Sequence, residues 1–139
     1  MNYPCVFFSQ REDASAPKFC MFHAPVGQVL EWATIPRLSP DEPAGIQRAK
    51  KDSKVKAIAK FLKVDPKNTI PTAIVVTLAE GSFTIDEKNG ASSITLEPAN
   101  KEGRFVVDGQ HRLYGLDLFN SASAVPIVAI LNASNEEKA

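Results

Sequence analysis

No stretch of the 139-residue sequence approaches the roughly 20 consecutive apolar residues that a membrane-spanning helix needs, so no membrane partner is expected. Net charge is missing as well: 16 basic residues balance 16 acidic ones. A chain without an overall field does not hold DNA or an anionic surface by charge alone, and any nucleic-acid role must come from a local patch. The opening Met-Asn-Tyr-Pro-Cys lacks the basic start and long apolar core of a signal peptide, so a cytoplasmic location is expected. Cysteine is scarce. Two residues, Cys5 and Cys20, fit reduced thiols in apolar strands better than a disulfide framework. Cys20 and His23 stand at C-x-x-H spacing with Cys5 as an imaginable third ligand, but structural zinc takes four ligands in tighter pairs, and buried thiols are the preferred reading. Internal repeats and low-complexity segments are absent, and no pattern bears on the oligomeric state.

What is present is a chain 44% hydrophobic, ample for one core, and residues 1–139 read as a single domain. Residues 3–8 and 19–23 are short apolar runs separated by a polar, proline-containing loop, two strands and their connection. Residues 26–38 fit either a buried strand or a short helix, and Pro40, Pro43 and Gly45 then break the pattern. From Ile46 the period turns helical, with Val55, Ile58, Ala59 and Leu62 on one stripe, until Asp65-Pro66 ends it. Residues 73–78 form a nearly continuous apolar run, predicting a central strand buried on both faces. Asn89-Gly90 marks a hairpin turn. Residues 105–107 predict a strand, 110–119 a helix, and 125–131 another buried strand. The polar residues from 132 onward follow directly on that strand, so the chain is expected to be the N-terminal part of a longer protein. Strands alternating with helices predict a mixed α/β or α+β layered fold.

The most informative stretch is Asp108-Gly109-Gln110-His111-Arg112, where an apolar strand turns into a helix. A helix start presents unpaired backbone N–H groups and the positive end of the macrodipole. Gly109 lets a ligand approach the backbone, and Arg112 can fork onto phosphate oxygens. The chemistry points to an anion site, most plausibly for a nucleotide phosphate. In that reading Gly109 and the amides of Gln110 and His111 cradle phosphate, and Arg112 pairs with its oxygens. His111 donates to an oxygen or assists a leaving group, Gln110 positions water, and Asp108 orients water or holds Mg2+. Asp108, Gln110, His111 and Arg112 are thus the candidate catalytic residues for a nucleoside triphosphate. Asp108 is the candidate metal ligand. Taken singly, each also has a plainer reading: Asp-Gly is a common turn, Asp108 a plausible cap, Gly115 a packing contact.

A second constellation is the helical segment 47–63. Arg48, Lys50, Lys51, Lys54, Lys56, Lys60 and Lys63 face a single acid, Asp52. A solvated lysine-rich face explains it; so does contact with a DNA backbone through Arg48, Lys50, Lys51 and Lys54. Gln47 and Arg48, at the helix start, are candidates for the far wall of the phosphate site or a plain cap. Trp32, Phe7, Phe8, Phe19 and Phe22 fit core packing at least as well as a base pocket.

The run Asp108-Gly-Gln-His-Arg-Leu-Tyr-Gly115 resembles the DGQHR-domain family, whose members include the DndB-type proteins of bacterial DNA phosphorothioation systems. Upstream, Gly45-Ile46-Gln47-Arg48, Val55-x-x-Ile58-Ala59-x-Phe61-Leu62 and Ile70-Pro71-x-Ala73-Ile74-Val75 follow in the family's order, so the resemblance covers about two thirds of the chain. More distantly, Gly109-x-x-Arg112-x-x-Gly115 is similar to the phosphate-binding element of ParB-like partition proteins, which bind and hydrolyse CTP. Sulfiredoxins share that fold, but Gln110 stands where they carry their nucleophilic cysteine, which argues against sulfinic-acid reduction. A related Asp-Gly-Gln-Gln-Arg motif occurs in modification-sensing restriction proteins with NTPase activity. The resemblance implies an α+β, ParB/sulfiredoxin-like mixed sheet with flanking helices. It also implies a nucleotide-binding domain, a candidate NTPase, in a DNA-modification or phage-defence system, with other DNA-modification proteins as partners. The alternative it implies is a non-enzymatic, DNA-binding transcriptional regulator of a phosphorothioation operon.

Overall fold

The computed structural model describes residues 1–36 and 44–132, and of residues 44–51 the backbone alone. Strands β1 (Asn2–Ser9) and β2 (Lys18–Pro25) are followed by helices α1 (Val26–Trp32) and α2 (Ala44–Val64). Then come β3 (Ile74–Leu78), the hairpin β4 (Thr84–Lys88) and β5 (Ala91–Thr95), β6 (Arg104–Asp108), α3 (Gln110–Phe119) and β7 (Ala124–Leu131). The strands form one seven-stranded mixed sheet in the order β4-β5-β1-β2-β7-β3-β6, an α+β fold. All ladders are antiparallel except β3 beside β7.

Alternation along the strands explains which face is covered. Tyr3, Cys20, Phe22, Ala24, Ile74, Val76, Leu78, Val106, Ile127 and Ala129 point to one face and are buried. Val26, Val29 and Trp32 of α1, Leu62 of α2, and Leu113 and Leu116 of α3 join them in a single cluster, so the helices lie on that face. At its centre Tyr3 stacks on Phe22, with ring centroids 5.1 Å apart. The Trp32 indole donates to the Tyr3 hydroxyl (3.1 Å), which in turn donates to Gln28 Oε1 (2.8 Å), so the polar ends of both rings are satisfied inside the core. Trp32 and Phe22 are therefore core residues, not a base pocket. Phe8 and Phe19 stack at 4.9 Å on the sheet's other face.

The ambiguous segment resolves as a helix over Val26–Trp32, then an extended bridge: Thr34 N–H donates to Arg104 O and Thr34 O accepts from Val106 N–H (2.8 and 3.0 Å). This short bridge covers the outer edge of β6. The hairpin turn falls at Asn89-Gly90, both with positive φ (53° and 79°), as a two-residue turn requires. β3 lies second from an edge, yet it is paired on both sides and buried at four of its five residues, as its apolar run predicts; β2 is the middle strand. β7, by contrast, is not buried throughout: from Val125 it alternates between buried and half-buried residues, because helices cover only one of its faces. The C-x-x-H pair is split by the same alternation: three residues apart on β2, Cys20 is buried in the core while His23 is exposed on the opposite face.

Candidate functional site

The turn from β6 into α3 is built by the backbone first. Gly109 takes φ 97° and ψ 18°, a left-handed conformation that side-chain-bearing residues rarely adopt, and caps α3 without any side-chain hydrogen bond. The helix's own ladder starts with Leu113 N–H donating to Gly109 O at 2.9 Å, so the amides before it point out of the N-terminus. Strand-turn-helix is therefore the geometry that the residue pattern of 105–119 predicts.

The side chains are arranged differently from a bare cradle. Arg112 folds back over the turn. Its Nη2 donates to the carbonyl of Ala73, just before β3, at 2.9 Å and lies 3.6 Å from Asp108 Oδ2. A Cβ at position 109 would fall 2.6 Å from Ile74 Cδ1 and 2.9 Å from Arg112 Nη2. The room that glycine leaves is thus filled by Ile74 and Arg112, and Gly109 is buried. Arg112 ties the helix start to the neighbouring strand. Its Nε is shielded from solvent without a hydrogen bond among the described residues, while the side chain as a whole is 26% exposed. Asp108 is 69% exposed, and at 3.6 Å its contact with Arg112 is a loose ion pair rather than a short charge-assisted hydrogen bond.

Gln110 and His111 are half-buried on the first turn of α3, and His111 Nε2 is shielded from solvent. In this arrangement that nitrogen is turned away from any ligand approaching through water. Asp108, the candidate metal ligand, stands without two further His, Cys, Asp or Glu side chains beside it among the described residues. A divalent ion there would take most of its oxygens from phosphate and water.

Gln47, Arg48, Lys50 and Lys51 lie on α2, but their side chains fall outside the described residues. Lys54 is exposed, as are Lys56, Lys60 and Lys63. α2 packs on α3, and Gly115 is the reason they can meet. A Cβ there would lie 2.5 Å from Ile58 Cβ and closer still to Ile58 Cγ2. Ile58 belongs to the predicted stripe and Gly115 is the packing contact its residue type suggests, and this contact fixes α2 against the helix that carries the turn.

One charged residue escaped the pattern reading. Arg104, 6% exposed at the head of β6, donates through Nε to Ser82 O (2.8 Å) and through Nη1 to Glu97 O and, at 3.4 Å, Trp32 O. It gathers three backbone segments at the end of the sheet opposite the turn, and burial draws its pKa below the ordinary value. The available signal was its place in the alternation: Arg104 and Val106 share the core face of β6.

Comparison with known families, with curated proteins and with solved structures finds no match.

Proposed function

We propose that the start of α3 binds the phosphate of a nucleotide, and that this chain is a nucleotide-binding domain of ParB/sulfiredoxin-like architecture serving a DNA-modification or phage-defence system. The observation that carries the reading is Arg112. Its Nη2 is anchored by the Ala73 carbonyl at 2.9 Å, and the same nitrogen stands 3.6 Å from the exposed, loosely held carboxylate of Asp108. Nη1 makes no hydrogen bond among the described residues. A phosphate arriving there meets helix amides and a pre-positioned guanidinium and displaces only the loose Asp108 contact. Asp108, so released, is free to turn toward a phosphate-bound Mg2+. The system assignment rests on the resemblance of Asp108-Gly109-Gln110-His111-Arg112 and its upstream blocks.

Calorimetric titration with ATP, GTP, CTP and UTP in the presence of Mg2+ tests this, with phosphate release followed in parallel. Binding should weaken at least tenfold in Arg112→Ala and in Arg112→Lys, whose compact ammonium lacks the planar fork that presents separate nitrogens to Ala73 O and to a phosphate. A melting curve for each variant separates lost binding from lost folding. Equal binding by wild type and both variants, or no binding by wild type, overturns the proposal. Phosphate release abolished in the same variants would make the domain an NTPase. A second reading, the DNA-binding regulator, is favoured by the exposed Lys54, Lys56, Lys60 and Lys63, which have no carboxylate partner among the described residues. It predicts salt-sensitive DNA retention that disappears in Lys50/Lys51/Lys54→Ala.

A further inference from the structure

The C-terminal half of α2 and the end of α3 leave a groove of about 410 Å³ lined by Lys56, Ala59, Lys60, Lys63, Val64 and Leu118. Lys56, Lys60 and Lys63 follow at i, i+4 and i+7, so they stand along one wall of α2. Val64 and Leu118 are 70% and 54% exposed, a large share for apolar side chains beside a cavity. No carboxylate lies within salt-bridge distance of the three lysines among the described residues, and none lines the groove. The groove therefore combines an apolar floor with an uncompensated positive wall.

We propose that this groove seats an acidic amphipathic helix of a partner protein. From Lys56 to Val64 the wall rises about 12 Å, a little over two helical turns. That is the reach of anchors at i, i+3 or i+4, and i+7 of a docked helix. Apolar anchors would cover Val64 and Leu118, and flanking Glu or Asp would meet the lysines. Other occupants fit less well. A DNA backbone would satisfy the lysines and leave Val64 and Leu118 in water. A second copy presenting the same groove would oppose lysine with lysine. The surface lies at the end of α3 opposite Arg112 and shares no lining residue with the helix start.

The test is fluorescence anisotropy with a labelled 15-residue helical peptide carrying Leu at i, i+4 and i+7 and Glu on the flanks. A scrambled peptide of the same composition, a duplex DNA and vesicles of anionic phospholipid serve as parallel probes. The patterned peptide should bind at least tenfold tighter than the scrambled one. Lys60→Glu/Lys63→Glu and, separately, Leu118→Ser should each weaken it at least tenfold. All three positions are exposed, so the variants should keep the wild-type circular dichroism spectrum and melting temperature. Equal binding of the two peptides, or indifference to either variant, overturns the proposal. So does DNA or vesicle binding that is tighter than the peptide's and lost in the same charge-reversed variant. Loss of nucleotide binding in Arg112→Ala with peptide binding intact would confirm that the two sites stand or fall separately.

Discussion

Gly115→Ala distinguishes a helix contact that needs glycine from a helix that merely tolerates one. In an open helix position this change should stabilise by about 1 kcal/mol, because alanine is the better helix former. Here the new Cβ would lie 2.5 Å from Ile58 Cβ, against roughly 3.5–4.0 Å for carbon atoms in contact. Relieving it requires α2 and α3 to part by about 1 Å or the Ile58 side chain to leave its rotamer, and overpacking of this kind costs about 1–3 kcal/mol. Because the obstacle includes a Cβ on a helix, a rotamer change alone does not clear it. The upper part of the range applies, and net destabilisation of about 1–2 kcal/mol is expected after the propensity gain. Ile58→Ala removes the branches around the clash and lets the helices adjust. The double variant should therefore be less destabilised than the sum of the single ones, by about 1 kcal/mol or more. Urea unfolding of the four proteins, compared at equal m-values, measures the cycle. A neutral or stabilised Gly115→Ala, or strict additivity with Ile58→Ala, would refute the close approach of α2 to α3.

Two further outcomes follow from buried groups. Arg104→Met should destabilise by about 2–4 kcal/mol, since it abandons the carbonyls of Trp32, Ser82 and Glu97, and chemical denaturation would show it. Burial, reinforced by the neighbouring Cys5 thiol, pushes the Cys20 thiol from its ordinary 9.0 up to about 12. The unfolded chain loses this proton first, so the contribution is complete below about pH 9 and is lost as pH rises from there toward 12. Stability measured across that window in wild type and Cys20→Ala should show the alkaline decline shallower in the variant. Identical slopes would remove Cys20 as its source.

Local pattern carried most of the architecture. The helical stripe around Ile58 and Leu62, the Asn89-Gly90 turn and the strand-turn-helix at Gly109 each express a rule acting over a few residues, and each occurs where its residues predict. What the pattern did not carry is the non-local partner of each polar group. The order of seven strands, with β7 inserted between β2 and β3, depends on pairings among residues about a hundred positions apart. Composition along a strand does not encode its neighbour. The same limit explains the candidate site. A helix start with an arginine is visible in the sequence, but the carbonyl that arginine holds belongs to Ala73, 39 residues earlier, in a segment that reads only as apolar. Arg104 was overlooked for a related reason: a charged residue at an inward position conflicts with the hydrophobic rule unless its acceptors, all backbone, are known.

The two arginines together explain what the sheet asks of β6. At its head Arg104 is buried, and its Nε and Nη1 are held by three carbonyls from three segments, so these donors serve the fold. Beyond its tail Arg112 holds one carbonyl, and its remaining contact is a carboxylate at 3.6 Å that is largely in water. An exposed pair of that kind contributes about 0–1 kcal/mol, so breaking it costs little. A buried guanidinium tied to three carbonyls of its own chain cannot turn to a ligand without giving up those bonds. One anchored on a single side can exchange a weak partner for a phosphate at small cost, and the helix amides then add to the gain. This asymmetry is why the inference of ligand binding falls on Arg112 rather than on Arg104. It also predicts the order of effects: Arg104→Met acts on folding first, and Arg112→Ala on binding first.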